Sequence, residues 1–89
     1  MKAIVTVIGK DRVGIIAGVS QELARLNINI LDVSQTIMND YFTMIMMCDI
    51  GKTRESFNAI QENLNRTGET LGVKITIQRE DIFTAMHKL

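Results

Sequence analysis

The sequence predicts an α+β sandwich: a four-stranded antiparallel sheet with two helices on one face, in the order β-α-β-β-α-β, followed by a short C-terminal helix. Three observations predict it. Two stretches place apolar residues every three or four positions, four stretches are extended and β-branched or alternating, and the helical stretches fall inside two β-α-β units joined by a hairpin. That order is the ferredoxin-like split fold. Right-handed crossovers put both helices on one face and make the first and third strands central.

Each element has its own signal. Ala3 to Ile8 is β-branched and almost wholly apolar, which predicts a strand buried on both faces. Ile15, Ile16, Val19, Leu23 and Leu26 then mark one stripe of a helix over residues 13–26, with Gln21, Glu22 and Arg25 on its wet side. Asn27 ends it, as a residue that tolerates the left-handed conformation. The next strand is predicted from Ile28 to Met38, with Leu31, Val33 and Ile37 on one side and Asp32, Ser34 and Thr36 on the other. Asn39-Asp40 is a hairpin turn signal. Tyr41 to Ile50 is apolar at nearly every position and is predicted as a central strand. Gly51 breaks it, and Thr53 is the expected N-cap of a second helix carrying Phe57, Ile60 and Leu64 and running to about Arg66. Gly68 and Gly72 are expected to flank a loop before a last strand, Val73 to Ile77, with Lys74, Thr76 and Gln78 on its wet face. In the tail, Ile82, Phe83, Met86 and Leu89 keep helical spacing, but so short a helix needs a surface to dock on.

Bulk properties bound the function. Eighty-nine residues are expected to form one domain (1–89), with a core over about 2–78 and a helical tail over about 80–89. The apolar fraction of 46% is high for so small a domain and points to buried subunit contacts, hence a homodimer or higher oligomer. Ten basic and ten acidic residues cancel, which argues against a nucleic-acid partner. No window is apolar enough to span a membrane and no signal peptide is present, so a soluble cytoplasmic protein with no membrane partner is expected. The single cysteine, Cys48, forbids an internal disulfide and reads as a small buried hydrophobe in the third strand. Met38, Met44, Met46 and Met47 read as core or dimer packing, and His87 as a solvated side chain rather than a metal ligand. An RNA-recognition domain shares this element order, but the first strand lacks the aromatic it would need.

The chemistry concentrates in "IGKDRVGI", residues 8–15, at the first strand-to-helix junction. A phosphate-binding enzyme loop of the acylphosphatase kind would place an arginine at the helix start, yet no arginine follows Gly14 until Arg25. No paired carboxylates and no nucleophile–base set can be assembled, so no catalytic residues, cofactor or metal site are expected. A plain structural reading makes Asp11 the N-cap of the first helix. A third reading makes the loop half of a small-ligand site. "KDRVGIIAGVSQELARLNINILDVSQT" resembles the signature of the ACT domain, a regulatory module that binds amino acids in many biosynthetic enzymes. Asp11, Arg12, Val13 and Gly14 match the family's turn, and Asn29-Ile30 its Asn-Ile pair at the second strand, with Asn27-Ile28 at a poorer distance. The sequence is most similar to the stand-alone members and to the branch found in glycine-cleavage repressors. It departs from the family where Val13 stands in place of a common proline, and where Asp11 replaces a residue that is often neutral.

The resemblance implies a ligand site made of Asp11, Arg12, Val13, Gly14, Ile15, Asn29 and Ile30, shared across a homodimer: the loop of one subunit against the second-strand start of its neighbour. The physical requirements agree. Free amides at the positive end of a helix can donate to a carboxylate, and Asp11 or the Asn29 side-chain carbonyl can accept from an ammonium. The alternative is a ligand-free interaction module acting through the open face of the sheet.

Overall fold

The computed structural model describes residues 1–81. Its elements are β1 (Lys2–Lys10), α1 (Ile15–Arg25), β2 (Asn29–Met38), β3 (Tyr41–Asp49), α2 (Phe57–Leu71) and β4 (Val73–Arg79). The sheet order is β2-β3-β1-β4, all antiparallel, so β1 and β3 are central as the topology requires. The expected C-terminal helix, with His87, lies outside the described residues.

The core lies between the sheet and the helices. Ala3, Val5 and Val7 of β1, Phe42, Met44, Met46 and Cys48 of β3, and Ile75 and Ile77 of β4 meet Ile15, Val19 and Leu23 of α1 and Ile60 and Leu64 of α2. Register explains the partition: β1 Val5 lies opposite Met46 and Ile77, and Val7 opposite Met44 and Ile75, so all these side chains share one face. Full burial of each such side chain contributes about 1.5–3 kcal/mol.

Several boundaries correct the sequence reading. β1 is not buried on both faces: Ile8 is 48% exposed, because the helices cover only one side of the sheet. Ile4 is buried there, although it is not part of the helix-side core cluster. Of the methionines, Met44 and Met46 are core, Met47 is half-buried and Met38 is exposed. The α2 cap is Ser56, whose Oγ accepts the Ala59 N–H at 3.1 Å, while Thr53 only accepts from Glu55. α2 also runs past Arg66 to Leu71 and carries Gly68 inside it. A Cβ on Gly68 would lie 2.6 Å from the Val73 carbonyl oxygen, so glycine here permits close helix–strand packing and does not mark a loop. Asn27 has φ 61, the left-handed conformation expected of it.

The outer edge belongs to β2. A bulge at Leu31 separates Ile30, opposite Cys48, from Asp32, opposite Met47. Val33 and Ile37 lie opposite core residues Met46 and Phe42, yet both are exposed because β2 overhangs the helices.

Candidate functional site

The β1–α1 loop is fixed by three backbone features. The Asp11 N–H donates to the Asp40 carbonyl at 2.7 Å, tying the loop to the β2–β3 turn. Gly14 has φ 95 and forms the N-cap of α1, its carbonyl accepting the Gly18 N–H at 2.9 Å. Nothing lies within 4 Å of where its Cβ would be, so glycine is required for the left-handed backbone and not for space. Asp11 is therefore not the helix cap: Gly14 holds that position and no side chain caps the helix. The first turn of α1 carries no acidic residue either, so its amide groups keep their positive end uncompensated by side chains.

The remaining loop residues divide by environment. The Arg12 guanidinium turns back to the end of α2, where Nη1 donates to the Leu71 carbonyl at 3.4 Å. A cation at a helix C-terminus is favourably placed against the dipole. Val13 is fully exposed, and Ile15 is buried in the core and anchors the first turn.

Asn29 and Ile30 lie elsewhere in the chain. Asn29 pairs with Asp49 at one end of the sheet, whereas the loop adjoins the Lys10–Tyr41 pair at the other. The eleven residues of α1 separate them, a length of about 16 Å. One chain thus brings Asp11, Arg12, Val13, Gly14 and Ile15 together, and separately Asn29 and Ile30. It does not bring the two groups together.

Asn29 lines a pocket of about 460 Å³ with Ala24, Asn27, Ile28, Asp49 and Lys52. Asn27 Nδ2 donates to the Lys52 carbonyl at 3.0 Å and holds the following loop against the end of α1. Asp49 Oδ1 accepts the Gly51 N–H at 2.8 Å, which, as the leading cause, holds the Asp49 carboxyl below its usual range. Sequence reasoning passed over Asp49 and Lys52. The available signal was a lone carboxylate closing an otherwise apolar strand, "YFTMIMMCD".

A second concavity of about 430 Å³ lies between α1 and α2. Arg25 binds Glu22 through both carboxylate oxygens and, like Arg66, donates to Asn63 Oδ1, at 3.2 and 3.0 Å respectively. Among the described residues, no group of three or more metal-ligating side chains is present and no helix is long and apolar enough to cross a membrane.

Two β-α-β units joined by a hairpin, with a four-stranded antiparallel sheet in the order β2-β3-β1-β4, define a ferredoxin-like α+β sandwich. The sequence profile of the ACT domain matches residues 2–78, and the chain belongs to that family. A UPF0237 protein of Listeria innocua is 64% identical over 89 residues, covering all of both chains. The solved structure of an ACT domain protein from Streptococcus pneumoniae superposes with a TM-score of 0.84 at 46% identity, covering 98% of each chain. The regulatory subunit of aspartate kinase from Thermus thermophilus shares the fold alone, with a TM-score of 0.67 at 22% identity over 86% of this chain and 50% of that one.

Proposed function

We propose that this chain is a stand-alone cytoplasmic regulatory domain, spanning 1–89, that binds an amino acid or similar small metabolite at a homodimer interface and so modulates a metabolic enzyme or regulator. The observation that carries the reading is the uncapped N-terminus of α1 behind left-handed Gly14. Its amides suit a carboxylate, while Asp11, Arg12, Val13 and Ile15 shape the turn around them. The acceptors for an ammonium come from Asn29 beside Ile30, which one chain holds about 16 Å away. A second copy supplies the missing half. β2 is a sheet edge, and the overhanging Val33 and Ile37 with exposed Ile16 offer that copy an apolar surface. A site completed by two chains makes ligand binding and association reinforce each other.

A second reading is favoured by the open sheet face, where Ile8, Ile45, Tyr41 and Met38 are all exposed. On that reading the domain is a ligand-free interaction module. A thermal-shift screen with the amino acids at millimolar concentration separates the two. A ligand at about tenfold over its Kd adds about 1.4 kcal/mol, a midpoint rise of about 5–10 °C for a domain of this size. A dimer whose midpoint no amino acid moves contradicts ligand binding and leaves the interaction module.

A further inference from the structure

The pocket at the start of β2 contains a carboxylate suited to the charged end of the ligand. Asp49 stands directly opposite Asn29 in the β2–β3 register, and both line the same pocket. Side chains so paired carry Cβ atoms about 4.5–5.5 Å apart, close enough to contact one ammonium together. Asp49 Oδ1 is held by the Gly51 N–H, and the α-ammonium of Met1 lies 3.6 Å from that oxygen. The Gly51 N–H first of all, and more weakly the charge of Lys52 in the pocket, favour the anionic form of this carboxylate.

We propose that Asp49, together with Asn29, is the acceptor for the α-ammonium of the bound amino acid. The assignment rests on the amino-acid reading given above. It also resolves the part of Asp11. In the composite site Asp11 belongs to the neighbour's loop, at the end of the ligand that carries its carboxylate, so it is not needed as the acceptor of the ammonium. Asp49 lies with Asn29 at the other end of the ligand, where negative charge is needed. The ligand class is then narrowed to free α-amino acids: N-acylation removes the charged donor that Asp49 receives.

The test uses the full chain and titration calorimetry with whichever amino acid gives the largest thermal shift. Asp49→Asn should weaken binding at least about tenfold, the cost of losing one charge-assisted contact. Glu69→Gln, a charge-matched change on the exposed side of α2, should stay within about twofold of the unchanged protein. The N-acetyl derivative of the same amino acid should not bind. If Asp49→Asn also lowers the melting point of the unliganded protein, Asp49→Glu must restore the affinity, since it keeps the charge. Failure to restore it assigns Asp49 a structural role and overturns the proposal. Wild-type affinity in Asp49→Asn overturns the proposal while leaving the amino-acid reading standing. Absence of binding by any amino acid to the unchanged protein overturns both.

Discussion

Gly14 and Gly68 are constrained for opposite reasons, and substitution should separate them. At Gly14 an added Cβ meets nothing, so alanine pays only for the left-handed backbone, about 1–2 kcal/mol. At Gly68 the Cβ meets the Val73 carbonyl at 2.6 Å, backbone that cannot rotate away, and alanine should cost about 2–3 kcal/mol. Urea titrations of the two variants test this order, and the reverse order contradicts it. Cys48 gives a second residue-scale prediction. It is fully buried, and burial pushes its thiol up to about 11. At pH 8 the thiolate is then on the order of one part in a thousand, so a disulfide exchange reagent should titrate Cys48 only after denaturant is added. Rapid labelling of the native protein would show that β3 opens.

At the scale of elements, periodicity located every helix and strand among the described residues but misplaced those ends that depend on partners far away in sequence. Ile15, Val19 and Leu23 revealed α1, and each is buried. The extension of α2 through Gly68 was not legible, because the reason for that glycine is the backbone of β4, which meets it only in the fold. The cap moved from Thr53 to Ser56 because both residues are good caps in isolation, and only Ser56 places its hydroxyl on the third amide ahead. Ser56→Ala should therefore lower stability by about 1 kcal/mol and Thr53→Ala by less, as read from thermal melts. The loop half of the candidate site was legible because it is contiguous, residues 11–15. Asp49 was not, since its pairing with Asn29 is twenty residues removed and depends on the register of β2 against β3.

At the scale of the whole molecule, the proposed site requires two groups of residues at opposite ends of α1 to be joined by a second copy. An edge strand with exposed Leu31, Val33 and Ile37 is a liability in an isolated chain, and pairing with a second copy removes it. The chain should therefore sediment as a dimer or higher oligomer. Replacing both Val33 and Ile37 with lysine should shift it toward monomer while the far-ultraviolet circular dichroism stays unchanged, since neither side chain belongs to the core cluster. The measurement that tests the shared site most directly is complementation between two defective chains. Gly14→Leu removes the loop half and Asn29→Ala the strand half, so neither homodimer has an intact site. Mixed dimers of the two variants carry one site in which both halves are intact. Titration with the amino acid that binds the unchanged protein should recover binding in the mixed dimers at about one ligand per dimer. Mixed dimers that bind no better than either parent would contradict a site shared between subunits.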